Sequence, residues 1–295
     1  MQARMRIVGI GSVLVALVCA ASVQAATINV KPKPDALQKA IDKAKKGDTL
    51  LVKDGTYKES VEVTKPLDIL GENGPRPVIN GGCDTDIVID VQSRGVKLEH
   101  MKVKGASDNG GPGYTVNLIG VPTGTLSDLA IQQSCEDSPE YGINIFDSGN
   151  LELLNNRTYG GFEDAGIYIG GIEDTRGKTL FVAGNISDGN NRGIIVEDSF
   201  SNDQDIRLES NSANANDTPG VTGSPTGIYI HNSDNGTYVD NVVADNGSYG
   251  FDIDAPSDDN VFNNNNATGN GDENFHDLGS GSCGSGNSFA LPACM

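Results

Sequence analysis

The amino-acid sequence predicts an all-β fold, a right-handed parallel β-helix (solenoid) of roughly ten rungs with a short N-terminal helical cap. Three observations carry that expectation. From about residue 140 the chain restarts one phrase: Gly142-Ile-Asn-Ile, Gly166-Ile-Tyr-Ile, Gly193-Ile-Ile-Val, Gly227-Ile-Tyr-Ile and Gly250-Phe-Asp-Ile, at intervals of 24, 27, 34 and 23 residues. Each phrase sets apolar residues at the first and third positions after glycine, the period-2 pattern of a short strand with one buried face. Second strands lie between the phrases, at Leu151-Glu-Leu-Leu, Thr179-Leu-Phe-Val, Ile206-Arg-Leu-Glu and Tyr238-Val-Asp-Asn, with no helical pattern between them. Asn-rich turns follow, at Asn155-Asn156, Asn185, Asn211, Asn241 and Asn263 to Asn266. A repeat of this length marks a solenoid, whose rungs bury their core only against their neighbours. An inward Asn amide can bond the next rung and stack into a ladder, and Asn tolerates the left-handed backbone of a sharp corner. A β-sandwich, the main rival, needs neither the recurrent phrase nor aligned Asn corners.

Taken in order, the elements begin with an export leader over residues 1–25. Arg4 and Arg6 precede the apolar run Ile7–Ala21, and Val23-Gln24-Ala25 has the small residues that signal peptidase needs. The run is too short to span a bilayer, and no later stretch approaches the ~20 apolar residues of a membrane helix. Cys19 is a poor lipid-attachment site because bulky Val18 precedes it. Residues 26–295 then read as a single domain of a secreted or periplasmic protein, with 26–60 as cap and first rung. Asp35 can cap a helix from Ala36 to Lys46, whose Leu37, Ala40, Ile41 and Ala44 share one face. Gly47-Asp48 ends it, and Thr49-Leu-Leu-Val begins a strand that closes at Asp54-Gly55-Thr56-Tyr57. A solenoid needs such a cap, since its first rung would otherwise expose an open core and a bare strand edge. Four of the five cysteines outlast the leader, and an even count in an exported chain implies disulfides. Cys283 and Cys294 would staple the Gly/Ser-rich tail, residues 279–295. Cys83 and Cys135 remain as a second pair or as two buried thiols.

Charge is uneven along the chain. Residues 1–110 carry 16 Lys and Arg against 13 Asp and Glu, a balance of +3, whereas residues 111–295 carry 5 against 27, a balance of −22. The acidic body repels nucleic acid and anionic membrane, which makes both poor candidate partners for it. Polyanionic sugars are repelled too, unless a divalent cation or a local basic spot intervenes. The same charge keeps an exported protein soluble.

The run from Asp35 to Val63 contains Ala-Leu-Gln-Lys-Ala-Ile-Asp, Gly-Asp-Thr-Leu-Leu-Val and Gly-Thr-Tyr-Lys-Glu-Ser-Val. It resembles the opening segment of pectate-lyase-like β-helix proteins, and the later rungs resemble their parallel β-helix repeats. The likeness spans nearly all of the chain after the leader. It implies a carbohydrate site on the outer face of one parallel sheet. If the first and third positions after each phrase glycine point inward, the second and fourth point out. The second column is then Asn144, Tyr168, Ile195, Tyr229 and Asp252, and the fourth is Phe146, Gly170, Glu197, His231 and Asp254. Parallel strands lie about 4.8 Å apart, so these side chains stack on successive rungs.

That row holds what sugar chemistry needs. Tyrosine rings offer a face for a sugar and a phenolic proton, carboxylates can act as acid and base, and His231 adds an imidazole for proton transfer. The candidate catalytic residues are Tyr229, His231, Asp252, Asp254 and Glu197, with Tyr168, Asn144, Tyr249 and Arg192 as candidate substrate contacts. Tyr249-Gly250-Phe251-Asp252 resembles the Tyr-Gly-Phe-Asp-Pro-His run of mannuronan C-5 epimerases, which implies catalytic roles for Tyr249 and Asp252. Ile253 and Asp254 follow here, so that family's His is missing at its place. The Gly-His-Gly and Arg-Ile-Lys segments of polygalacturonases are absent, as is the Trp-Ile-Asp-His segment of pectate lyases.

Asp252 and Asp254, with the pairs Asp84/Asp86, Asp203/Asp205 and Asp258/Asp259, could ligate Ca²⁺ through hard oxygens, although none has EF-hand spacing. His100, His231 and His276 look too scattered for a transition-metal site, which argues against the copper-handling periplasmic role of some similar β-helix proteins. Asn-x-Ser/Thr sequons fall at Asn156, Asn185, Asn216, Asn235, Asn246 and Asn266. The expected protein is therefore a monomeric lyase or epimerase of an acidic polysaccharide. The alternative is a noncatalytic module that binds a cell-surface glycan or a protein, or serves as a spacer.

Overall fold

The computed structural model describes residues 25–172, 179–199, 206–219 and 223–294. The leader apart from Ala25, and with it Cys19, lies outside the described residues, as do Asp203 and Asp205. The chain coils as a parallel β-helix. Its strands form sheets of eleven, nine and six members and one further pair. Each strand pairs in parallel with the equivalent strand of the next coil. Ile143, Ile167, Ile194, Ile228 and Phe251, the first positions after the phrase glycines, are fully buried and stack through the solenoid. Ile145, Ile169, Val196, Ile230 and Ile253, the third positions, do the same. One elongated apolar core results, and the nine-stranded sheet turns its other face outward.

The corners are held by side-chain amides. Asn156 Nδ2 donates to Asn185 Oδ1 at 2.9 Å, and the relay runs on through Asn211, Asn241, Asn265 and Asn287 at 3.0 to 3.1 Å. Each amide also serves backbone: Asn211 accepts from Asn185 N at 3.0 Å and donates to Val182 O at 2.8 Å. The sequence expectation of an Asn ladder is met here, with one correction. The left-handed residue is the one before each ladder Asn, namely Asn155, Gly184, Ser210, Asp240, Asn264 and Gly286, with φ between 54° and 74°. The ladder Asn itself turns its amide inward, and its predecessor makes the bend. A second ladder joins Asn190, Asn216, Asn246, Asn270 and Asn274. Four of the sequons, at Asn156, Asn185, Asn216 and Asn246, are thus buried ladder members.

The ends are closed differently. The helix spans Ala36–Lys43, shorter than expected, with Leu37 and Ile41 buried. Asp35 does not cap it: its backbone is left-handed and its side chain makes no cap bond. Glu59 takes that role, accepting Leu37 N at 3.1 Å and Gln38 N at 3.0 Å. A carboxylate there suits the positive end of the helix dipole. Lys65 Nζ closes the other end by donating to the carbonyls of Ile41, Asp42 and Ala44. Cys283–Cys294 folds the tail over the last rung, where Gly284 N donates to Pro292 O and Phe289 stacks on Phe275. Cys83–Cys135 is the second disulfide, bridging 52 residues.

Asn211→Ala leaves Asn185 N buried without its acceptor and takes the amide donor from Val182 O, so a loss of about 2–3 kcal/mol is expected. Asn270→Ala, in a half-buried stretch of the second ladder, should cost distinctly less. Urea unfolding of both variants checks the order.

Candidate functional site

The outer face of the nine-stranded sheet carries a continuous polar and aromatic row. Strand register places Asn117, Asn144, Tyr168, Ile195, Tyr229, Asp252 and His276 in one column. A parallel column holds Phe146, Gly170, Glu197 and His231, and Asp254 follows Ile253 one rung beyond. Tyr141, Ala165, Tyr168 and Ile195 form a small apolar cluster on this face, separate from the main core, with Tyr114 and Tyr229 packed against it.

Within the row each carboxylate has a partner on a neighbouring rung. Tyr168 OH donates to Glu197 Oε2 at 2.8 Å. Tyr229 OH and His231 Nδ1 both reach Asp254 Oδ2, at 3.1 and 3.0 Å. His276 Nδ1 lies 2.7 Å from Asp252 Oδ1. Because a carboxylate only accepts, both Nδ1 atoms carry the proton, and each Nε2 is left as an acceptor. Arg192 pairs with Asp164, and its guanidinium carbon lies 5.0 Å from the Tyr229 ring centroid. Tyr141 OH also donates to Asp164, at 3.0 Å. The rings stack: Tyr114 on Tyr141 at 5.8 Å, Tyr141 on Tyr168 at 4.5 Å, and Tyr249 on His276 at 4.7 Å.

Burial sets the proton affinities. It raises the Asp252 carboxyl above the usual range, and the bond to His276 offsets part of the rise. Burial first, and the adjoining Glu197 and Asp254 carboxylates next, push the Tyr168 and Tyr229 phenols well up. Both therefore stay protonated at neutral pH.

Tyr229, His231, Asp252, Asp254, Glu197, Tyr168, Tyr249 and Arg192 all meet on this face. Asn144 stands on it too, but it is engaged in an amide chain toward the N-terminal end, donating to Asn117, which donates to Asp90. Asp164, Tyr141 and His276 belong to the face, and sequence reasoning passed them over. His276 had a signal: Glu273-Asn274-Phe275-His276 repeats the phrase 24 residues after Gly250, with Asn in place of glycine. His231 and His276 share this face but bond different carboxylates, Asp254 and Asp252. His100 stands apart at a corner, bonded to Asp128 and the Gly74 carbonyl.

An all-parallel solenoid with such a row on one outer sheet is a pectate-lyase-like, right-handed β-helix protein. Residues 88–282 match the family described as periplasmic copper-binding protein (NosD), and the chain belongs to that family. Among solved structures, pectate lyase Pel9A is 14% identical over 93% of this chain and 82% of that one, with a TM-score of 0.59. The ORF18 protein of Geobacillus virus E2 is 11% identical over 88% and 61%, with a TM-score of 0.51. An alginate lyase from Paenibacillus sp. str. FPU-7 is 16% identical over 88% and 99%, with a TM-score of 0.46. The first two likenesses reflect the shared fold. No curated protein matches the sequence.

Copper favours thiolate, thioether and imidazole donors. Among the described residues all four cysteines are in disulfides and Met101 is sealed in the core. His100, His231 and His276 bond three different carboxylates, and among the described residues no three His, Cys, Asp or Glu side chains gather as a metal-holding group. These residues do not fit a copper site.

Carboxyl ¹³C NMR should find Asp252 titrating above the ordinary aspartate range. His276→Ala removes a stabilising partner of its anion, so the midpoint should rise further.

Proposed function

We propose that the protein acts outside the cytoplasm, in the periplasm or beyond it, as a lyase or epimerase on an acidic polysaccharide. Its site is the outer face from strand Ala165–Gly170 to strand Glu273–Asp277. The observation that supports this reading is the pairing of imidazole and carboxylate on neighbouring rungs beside a protonated tyrosine. His231, held in one tautomer by Asp254, presents Nε2 as a general base. Tyr229, on the same carboxylate, is a proton donor.

In a lyase turnover, His231 Nε2 takes the proton at C5 of a uronate. The C4–O bond breaks as the C4–C5 double bond forms, and the departing oxygen takes the Tyr229 proton. In an epimerase the C4–O bond stays, and the proton returns to the opposite face of C5. The substrate carboxylate must be neutralised in either case. Arg192 brings positive charge to the Tyr229 ring, beside Asp254 and His231. Asp252 and Asp254 offer hard oxygens to an added Ca²⁺, so the cation belongs in the assay. The fold shared with pectate lyase Pel9A and the periplasmic family are in keeping with this reading.

A noncatalytic glycan-binding face is the second reading, favoured by the stacked run Tyr114, Tyr141 and Tyr168, which lies apart from both histidines. Residues 26–295 should be screened on alginate, pectate, glycosaminoglycans and neutral glycans, with Ca²⁺ and with chelator. Unsaturated uronate absorbance, reducing ends and C5 proton exchange are the readouts. Turnover is expected, with His231→Ala lowering it by roughly 10²–10⁴-fold while binding persists. Binding without turnover would favour the second reading, and no binding to any glycan would remove both.

A further inference from the structure

The solenoid's N-terminal end carries the opposite charge to its body. Lys31, Lys33, Lys39, Lys43, Lys45 and Lys46 are all exposed there. Lys39 pairs with Asp35, and among the described residues the other five make no ion pair. Of the nearby acids, Asp42 is bonded to Gln38, and Asp48 is turned to the backbone amides of Ala26 and Lys45. Lys31, Lys33, Lys39 and Lys43 rim a hollow of about 370 Å³ between the helix and strand Thr27–Val30, with Ile28, Val30, Ala36 and Ala40 as its apolar lining. That strand is the end of the eleven-stranded sheet and is paired on one side only.

We infer that this end docks on an anionic phospholipid surface, with the lysines on headgroup phosphates and the hollow taking the apolar boundary beneath them. The solenoid then stands end-on. Two observations favour lipid over other anions. The hollow joins cationic rim to apolar lining, which matches a headgroup above a glycerol–acyl boundary. The apolar run Ile7–Ala21 of the expected leader ends six residues before Thr27, so an export leader would set this end nearest the membrane it crosses.

The acidic body does not oppose the contact when the rod stands upright. Seven strand steps separate Val61–Val63 from Tyr249–Ile253 in the nine-stranded sheet. At about 4.8 Å per step, that places Asp252 roughly 34 Å along the axis. The screening length at physiological salt is about 8 Å, so those carboxylates are not felt at the bilayer. Docking also fixes the working distance of the sheet face, which would meet a polymer lying above the membrane.

The test uses residues 26–295, which hold every described strand, sedimented with phosphatidylcholine vesicles with and without phosphatidylglycerol. Binding is expected only with phosphatidylglycerol and should fade as salt rises. A lysine near an anionic surface contributes roughly fivefold in affinity, so Lys31→Gln, Lys33→Gln and Lys43→Gln together should weaken binding about a hundredfold. The matching Arg variant should restore it, with circular dichroism and glycan binding unchanged in both. Equal binding to neutral vesicles, no binding to anionic ones, or an unaffected Gln variant overturns the inference. So does a chain that ignores vesicles but loses soluble polyanion binding in the Gln variant, which would make the cap a glycan surface.

Discussion

Everything in this molecule hangs on a relay of buried amides from one coil to the next. Each inward Asn satisfies a backbone N–H and a carbonyl of its neighbour while its own amide is satisfied by the next Asn. Buried polar groups without partners are expensive, so no coil can leave the relay without stranding the ones beside it. The separations between successive ladder residues vary from 22 to 30. The amide contacts nevertheless stay near 3 Å. Insertions are thereby forced out of the corner and into the outer loops, and strand register is preserved through coils of unequal length.

Preserved register brings an electrostatic problem with it. It gathers acids on one outer face, where the Asp254 carboxylate raises the proton affinity of Asp252. On the outer face each acid is relieved by a different neighbour: Glu197 by Tyr168, Asp254 by Tyr229 and His231, Asp252 by His276, and Asp164 by Arg192 and Tyr141. These partners answer a structural need, and they also assemble protonated phenols and oriented imidazoles on one surface. Asp252 is the member whose relief is incomplete, since burial outweighs the bond to His276 and leaves its carboxyl raised.

Much of this was legible because a solenoid writes its contacts into its period. Aligning the phrase glycines placed Tyr168, Tyr229 and Asp252 in one column and Glu197 with His231 in another, and the sheet register agrees. The first Asn ladder could be read the same way, whereas the cysteine count left Cys83 and Cys135 open as a pair or as two thiols, and they form a disulfide. Features that do not repeat could not. Glu59 caps a helix 22 residues before it, a contact made once and by no pattern. The second ladder was hidden because its members stand at unequal distances from the phrase glycines, Asn190 three residues before Gly193 and Asn216 eleven before Gly227. His276 was missed because its rung replaces the glycine that served as the alignment mark.

The same geometry bears on what the face can hold. Side chains on a parallel sheet stand roughly perpendicular to it, one strand spacing apart, so neighbours meet in pairs along the axis. Chelation of a transition metal instead needs three or four donors converging on one point at about 2 Å. The imidazoles here obey the first rule: each meets one carboxylate at Nδ1 and offers a single remaining nitrogen. Paired groups repeated along an axis suit a ligand that is itself extended and repetitive, contacted a little on every rung, more than they suit a single ion. The chain belongs to the copper-binding family, yet the donors on its outer face stand in pairs along the axis and do not converge on one point.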